Sequence, residues 1–180
     1  IYDIYDLTGF ETNTIKGTND TWDGQIHATI PAEHKENFAF KTKMTMGAQE
    51  VRLSLTAKDG DSIYDAPGYA VYLYGASNKV DIRRNNTSLK SATVEGLAGT
   101  YEFEVGIVDI LFGGQRTGKH LYVKINGVVV CEYDDVNGYL TGDALGTKAA
   151  IFHYGSAIQM NDESTPIECT HNYNAVTTDP

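Results

Sequence analysis

Residues 100–135 read TYEFEVGIVDILFGGQRTGKHLYVKINGVVVCEYDD, and this stretch decides the fold. Apolar and polar side chains alternate along residues 101–107, the period of a β-strand with one buried face. The alternation returns along residues 121–125 and ends at Asn126-Gly127. Asn-Gly between two apolar runs is the strongest short-range hairpin signal, because both residues tolerate the positive φ of a type I′ turn. The stretch therefore predicts antiparallel β-sheet.

The register of the strand that follows this turn stays open, because both of its faces are apolar. A two-residue turn pairs Tyr122 with Cys131 and His120 with Tyr133. A one-residue bulge instead sends Val129, Cys131 and Tyr133 to the core.

The rest of the chain repeats the same kind of segment without a long helix. Segments with alternating or apolar character lie at 25–30, 38–46, 51–57, 69–74, 80–83, 149–154 and 157–160. Ten to twelve short strands separated by turn residues are typical of a two-layer β-sandwich. We predict an all-β, two-sheet antiparallel sandwich over residues 1–160. Residues 161–180 are polar and are expected to form a tail, a final strand or a linker.

Composition narrows the classes of function. The 180 residues carry a formal net charge of −10, which argues against nucleic acid or an anionic membrane as a partner. No run of 18 apolar residues is present, so membrane insertion is not expected. The start at Ile1 and the richness in Tyr and Gly suggest a mature piece of a longer, extracellular protein. Cys131 and Cys169 permit one disulfide, but two free thiols are equally compatible with the sequence.

Six runs occur in an order that resembles the concanavalin A-like lectin/glucanase superfamily, in particular its laminin-G-like jelly rolls. These runs are FAFKTKMTM, VRLSLTAKDG, GYAVYLYG, KVDIRR, TYEFEVGI and HLYVKINGVVVCEYDD. The resemblance covers about residues 26–160 and rests on scaffold positions. It implies the fold, but it does not select among lectins, carbohydrate-binding modules, adhesins, glycosidases and lyases.

A sugar-binding surface needs flat aromatic rings and planar polar groups. If the strands near 50–57, 69–75 and 79–84 form a meander, one face brings such groups together. The candidate carbohydrate-binding residues on that face are Arg52, Tyr72, Tyr74, Asp81 and Arg83. The alternative is that Tyr72 and Tyr74 are strand-forming residues on an outer face or under a loop.

Three aromatic residues are secondary candidates for the same role. Trp22 lies in a polar, turn-rich segment, where it is either a rim platform or a plug under a loop. Tyr122 and His120 depend on the register of the hairpin, which decides the residues they pair with.

Signals for catalysis are weaker. Glu102 and Glu104 share one strand face, but they lack the third acid of the Glu-x-Asp-x-Glu pattern that the superfamily's glycosidases carry. Gln25-Ile26-His27 resembles a motif of jelly-roll alginate lyases, whose companion motifs are missing. A solvated strand face and a chance match are the preferred interpretations, so we predict a non-catalytic module.

Calcium is the one cofactor that the sequence suggests. Asp59, Asp61 and Asp65 place hard carboxylate oxygens on one loop, although without the spacing of an EF-hand. Turn formation alone also explains these aspartates. Competing sites are Asp134 and Asp135, and near the N-terminus Asp3 and Asp6.

Taken together, these patterns favour a carbohydrate-binding module or lectin domain of a secreted or cell-surface protein. We expect a monomeric module within a larger chain, with a polysaccharide or glycan as its partner. The alternatives are a protein-binding adhesin or spacer that uses loops near 59–67 and 111–119, and a polysaccharide lyase or glycosidase. The N-x-Ser/Thr sequences at Asn19, Asn85 and Asn86 matter only in a host that glycosylates asparagine.

Overall fold

A computed structural model describes residues 4–6, 24–58, 67–153, 158–160, 168–170 and 176–177. Within these residues, regular structure is almost entirely β, with short 3-10 helices at Ala32–His34 and Gly142–Ala144. The strands are β1 Ile4–Asp6, β2 Gly24–Thr29, β3 Phe38–Met46, β4 Glu50–Ala57, β5 Tyr69–Tyr74, β6 Lys79–Arg84, β7 Thr87–Thr93, β8 Gly99–Phe112, β9 Gln115–Ile125, β10 Val128–Asp135, β11 Lys148–His153, β12 Ile158–Met160, β13 Glu168–Thr170 and β14 Val176–Thr177.

The strands form two sheets. The first sheet has the order β1-β2-β11-β4-β5-β6-β7. The second has the order β10-β9-β8-β3-β12, with β13 added to β3 and β14 added to β8. Only the β8–β14 pair among these ladders is parallel. The prediction of a two-sheet, essentially antiparallel sandwich is confirmed.

Alternation places the core between the sheets. In β3 the residues of one face (Phe38, Phe40, Met44 and Met46) are at most 2% exposed. The matching faces of β4 and β5 contribute Leu53 and Val71, and those of β8 and β9 contribute Val105 and Val123. Each of these side chains was assigned to a buried face by its period of two, because successive side chains of a strand point to opposite sides.

The hairpin at Asn126-Gly127 has the expected positive φ angles, 50° and 80°. A bulge between Val129 and Cys131 then shifts the register, so that Cys131 pairs with Val123. Cys131 is buried and Tyr133 packs on the core, so the bulge alternative is the correct one. Val129 lies before the bulge, however, and remains 44% exposed.

A buried polar contact joins the two sheets. The Tyr69 hydroxyl on β5 donates to Asp135 Oδ2 at the end of β10, at 2.7 Å. Arg84 Nη1 binds both oxygens of the same carboxylate, at 2.5 and 2.7 Å. Burial and the hydrogen bond to Asp135 raise the pKa of Tyr69, so the phenol remains a donor at all ordinary pH values.

The segment 161–180 contributes β13 and β14 to the second sheet. The sequence predicted a tail, a strand or a linker there.

Among the described residues, no helix has the length and apolar character needed to span a bilayer.

Candidate functional site

The meander of β4, β5 and β6 brings together the five residues of the first predicted surface. Register pairs Arg52 with Tyr72, and Tyr72 with Asp81, in one row across the three strands. Tyr74 and Arg83 lie on the same face, where the Arg83 Nη2 is 3.3 Å from the Tyr74 hydroxyl. The predicted co-location is therefore present.

The expectation that this face is open around Tyr72 is wrong. The side chain is only 1% exposed. The guanidinium carbons of Arg52 and Arg83, one from each neighbouring strand, lie 4.4 and 4.3 Å from its ring centroid. Its hydroxyl donates to Asn86 Oδ1 at 2.9 Å. A ring covered in this way offers a saccharide no free face for stacking.

The polar groups around Tyr72 bind one another. Arg83 Nε donates to Asp81 Oδ2 at 2.7 Å, and its Nη1 donates to Asn86 Oδ1 at 3.0 Å. The hydroxyls of Ser88 and Ser91 donate to Asp81 Oδ1 at 2.5 and 2.9 Å. Burial alone would raise the pKa of Asp81, but the hydrogen bonds from Ser88, Arg83 and Ser91 outweigh it and lower the pKa. These contacts form an internally satisfied cluster of the kind that stabilises a fold.

Asn86, Ser88 and Ser91 were not recognised as partners in this cluster. The signal available was the Asn85-Asn86 turn between β6 and β7, where both residues have positive φ, at 45° and 64°. Asparagine tolerates that conformation, and its side chain reaches nearby polar groups.

A second surface, which we call the Tyr122 face, lies on the outside of the second sheet. It comprises Tyr122 and His120 on β9, Glu104 on β8, and Glu132 and Asp134 on β10. The bulge after Val129 is what turns Glu132 and Asp134 outward, because it sends Cys131 and Tyr133 inward.

The Tyr122 ring lies across Gly106, its direct partner on β8. A methyl group at position 106 would overlap the ring, so glycine is required there for this ring position. The ring is half-buried, and its hydroxyl bonds to Glu104. Burial, followed by the charge and hydrogen bond of Glu104, raises the pKa of Tyr122.

A surface groove with a volume of about 210 Å³ is lined by His120, Glu132, Tyr133 and Asp134, and Tyr122 is not among its lining residues. The imidazole Nδ1 is 2.6 Å from Asp134 Oδ1, and Nε2 is 3.5 Å from Glu132 Oε2. The His120 and Tyr122 rings are 6.1 Å apart and inclined by 30°. The face thus combines a supported aromatic ring, a second ring beside it and two exposed carboxylates.

Several predicted site residues lie outside the described residues. These are Trp22, the calcium candidates Asp59, Asp61 and Asp65, and Asp3. For Asp6, Gln25 and His27, the structure describes only the strand to which the backbone belongs.

The other calcium candidates already have partners. Asp135 is 1% exposed and accepts from Tyr69 and Arg84, and Asp134 contacts His120. In the described parts of the chain, no group of three His, Cys, Asp or Glu side chains is arranged to hold a metal ion. Asp135 is therefore corrected from a calcium candidate to a structural residue.

Glu102 and Glu104 lie on the outer face of the second sheet, as the alternation predicted. Register places Lys43 opposite Glu102 and Lys41 opposite Glu104. Lys124 Nζ also lies 3.6 Å from Glu104 Oε2. This arrangement of alternating charges is typical of a solvated strand face.

The chain matches no protein-family profile. It also matches no curated protein. Solved structures do resemble it. The carbohydrate-binding module CBM66 from Bacillus subtilis aligns with a TM-score of 0.53 and 12% identity, over 91% of this chain and 96% of that one.

The exoplasmic/lumenal domain of VIP36, in a Ca²⁺/Man3GlcNAc-bound form, aligns with a TM-score of 0.63 and 11% identity, over 96% and 84% of the two chains. A sialidase from Trypanosoma rangeli aligns with a TM-score of 0.56 and 8% identity, over 92% of this chain but only 26% of that one. These similarities establish that the chain has a concanavalin A-like jelly-roll fold.

Proposed function

We propose that this domain is a non-catalytic carbohydrate-binding module of a secreted or cell-surface protein, and that it binds a polysaccharide or glycan at the Tyr122 face. The observation that carries this proposal is the Tyr122 ring, which lies across Gly106 and 6.1 Å from the ring of His120, a residue that lines a surface groove. The similarity to a carbohydrate-binding module and to a saccharide-bound lumenal domain supports the class of ligand.

The physical basis is stacking on a ring that is already ordered. Aromatic side chains bind the apolar face of a pyranose, and surrounding polar groups bind its hydroxyls. Contact with Gly106 and the hydrogen bond to Glu104 restrict the Tyr122 ring before ligand arrives. The entropy lost on binding is correspondingly small. Carboxylates in the groove are strong acceptors for sugar hydroxyls.

The Tyr72 cluster is less suited to the same task. Its central ring is buried, and the guanidinium of Arg83 already binds Asp81, Asn86 and Tyr74. A ligand would have to displace these contacts before it gained any of its own.

A glycan array followed by calorimetry on the best ligand tests the proposal. We expect Tyr122→Ala to weaken binding about tenfold or more, which corresponds to the loss of about 1.4 kcal/mol. Tyr74→Ala, on the opposite sheet, is the matched control and should bind like the wild type. Gly106→Ala should also weaken binding, because its methyl group displaces the ring without removing it.

Thermal unfolding would first show that each variant is folded. Loss of binding in Tyr74→Ala with full binding in Tyr122→Ala would contradict the assignment of the site and return it to the first sheet. If the wild type bound none of a broad array of polysaccharides, carbohydrate binding itself would be contradicted.

The protein-binding alternative has one observation in its favour. The β8–β9 hairpin, which ends at Gly113-Gly114, carries Phe112 near its tip with the side chain 52% exposed. An exposed aromatic residue at a hairpin tip suits contact with another protein. If no glycan on the array binds the protein, Phe112→Ala should then be compared with the wild type in cell-adhesion and pull-down assays.

Calcium binding by Asp59, Asp61 and Asp65, in the segment between β4 and β5, is also proposed. A single Ca²⁺ bound by this segment should raise the midpoint of thermal unfolding, because it binds the folded chain better than the unfolded one. We expect EDTA to lower the midpoint and Ca²⁺ to restore it. In Asp61→Asn both effects should shrink, and an equal response in wild type and variant would contradict this assignment.

A further inference from the structure

We infer that the Tyr122 face selects its saccharide by charge, and that it prefers an amino sugar with a free ammonium group over neutral and acidic sugars. This inference rests on the proposed function, since it concerns the ligand of the same site. The residues that set the preference are Glu132 and Asp134.

These two carboxylates reach into the groove from the outer face of β10. Their side chains are 59% and 55% exposed, so their oxygens are accessible to a ligand. The imidazole of His120 lies between them and carries at most one positive charge. The groove is therefore negative whether His120 is protonated or neutral.

The cation at the Tyr122 ring does not cancel this charge. Lys124 Nζ lies 5.2 Å from the Tyr122 ring centroid, but it is 3.6 Å from Glu104 Oε2, and Lys124 is not among the residues that line the groove. Lys124 and Glu104 therefore compensate each other, and within the groove Glu132 and Asp134 share the single imidazole of His120.

Register fixes the distance between the ring and the carboxylates. Glu132 is the direct cross-strand partner of Tyr122, and Asp134 is the partner of His120. Directly opposed residues of an antiparallel pair have Cβ atoms about 5 Å apart. A sugar stacked on Tyr122 therefore places its ring substituents beside Glu132, and a neighbouring residue of an oligosaccharide comes beside Asp134.

The chemistry at these positions favours a cation. An ammonium group on the sugar donates charge-assisted hydrogen bonds to carboxylates, whereas an N-acetyl group offers only a neutral amide. A uronate, sialate or sulfate would bring like charge against Glu132 and Asp134, which is unfavourable in a partly desolvated groove. The expected order of affinity is free-amine, then N-acetylated or other neutral, then acidic.

Calorimetry with three matched oligosaccharides tests this order. Tetramers of glucosamine, N-acetylglucosamine and galacturonate are compared at pH 6, in 50 mM and 300 mM NaCl. We expect the glucosamine tetramer to bind at least fivefold more tightly than the N-acetylated one, with a difference that shrinks at high salt. The galacturonate tetramer should bind most weakly.

The decisive variant is Glu132→Gln with Asp134→Asn, in which the difference between the glucosamine and N-acetylglucosamine tetramers should disappear. The matched control is Glu95→Gln with Asp143→Asn, which removes the same charge from exposed positions elsewhere. This control should keep the wild-type preference. An equal loss of preference in both double variants would show attraction to the net charge alone and would overturn the inference.

The remaining outcomes separate the two levels of the proposal. If the N-acetylated or the acidic tetramer binds as well as the amine, the charge preference is wrong, but carbohydrate binding stands. If none of the tetramers binds and the glycan array is also silent, the carbohydrate-binding function itself is wrong.

Discussion

Tyr72 and Tyr122 both project from outer strand faces, but they differ in what covers them. Two arginines lie over Tyr72, and the residue is 1% exposed. Tyr122 instead has a glycine under its ring, has Lys124 Nζ 5.2 Å from its ring centroid and remains half-exposed. One phenol is consequently part of a packed cluster, and the other keeps part of its surface exposed.

This difference predicts opposite effects of removing the two rings. We expect Tyr72→Ala to reduce the free energy of unfolding by about 3 kcal/mol, a typical cost of deleting a buried aromatic ring. The guanidiniums of Arg52 and Arg83 also lose the ring between them. Urea unfolding followed by circular dichroism measures the change, and saccharide binding by the folded fraction should persist.

The comparison for this prediction is Tyr122→Ala, whose ring lies on Gly106 and is only half-buried. A smaller loss of stability is expected there. The burial argument would be contradicted if Tyr72→Ala were as stable as the wild type, or less destabilised than Tyr122→Ala.

Among the elements, the β8–β9 hairpin is held to the rest of the sandwich by a buried ion cluster. The Lys119 side chain is fully buried, and its Nζ lies 2.5 Å from Asp109 Oδ1 and 2.6 Å from Glu36 Oε2. Arg116 Nε adds a contact of 2.8 Å to Asp109 Oδ1. The cluster connects the hairpin to the turn that precedes β3.

The stabilisation that this hairpin gains from the cluster therefore depends on pH, through the charge state of Asp109. Burial is the largest influence and would raise its pKa, but hydrogen bonds and charges from Lys119, Asn37 and Arg116 outweigh it, so the pKa is lowered. An unfolded aspartate titrates near pH 3.9. Since the folded pKa lies lower, the unfolded chain takes up the proton first as the pH falls.

We expect the stabilisation from Asp109 to be complete above about pH 4 and to be lost as the pH falls through the lower, folded pKa. Urea unfolding between pH 7 and pH 2.5 measures it. Asp109→Asn should be less stable than the wild type at pH 7, and the difference should narrow in acid. A difference that stays constant over this range would contradict the role of the ionised carboxylate.

At the scale of the whole molecule, the two sheets meet along β7 and β10 and are tied by Tyr69, Arg84 and Asp135.

Register across the second sheet also separates its cysteines. Cys169 pairs with Phe40 on β3, while Cys131 pairs with Val123 on β9, and β8 lies between.

Four strand spacings of about 4.8 Å place the two cysteine Cα atoms roughly 19 Å apart, whereas a disulfide needs them within about 7 Å. We therefore expect no disulfide between Cys131 and Cys169. Burial also raises the pKa of the Cys131 thiol, which makes it a poor nucleophile.

Alkylation and mass spectrometry without reductant test this prediction. Cys131 should be modified slowly in the native protein and rapidly in urea. A Cys131–Cys169 cross-linked peptide in the native digest would contradict the register of the second sheet.

The fold was accessible from sequence because its main signals are local. A side-chain period of two identifies a buried face within each strand, and Asn126-Gly127 identifies a turn from two residues. The core faces of β3, β4, β5, β8 and β9 were assigned in this way without knowledge of their neighbours. The jelly-roll topology, in contrast, was implied by the resemblance of these runs to the concanavalin A-like superfamily.

The sequence by itself thus determined the all-β class, the buried faces and the residues that share the first sheet's outer face. Only the tertiary structure decided that Tyr72 is covered, that a bulge turns Cys131 inward and that Tyr122 lies on Gly106. The physical reason is the distance along the sequence between the residues that decide each feature. Alternation depends on successive residues of one strand, whereas burial, register and ring position depend on residues brought to neighbouring strands from distant parts of the chain.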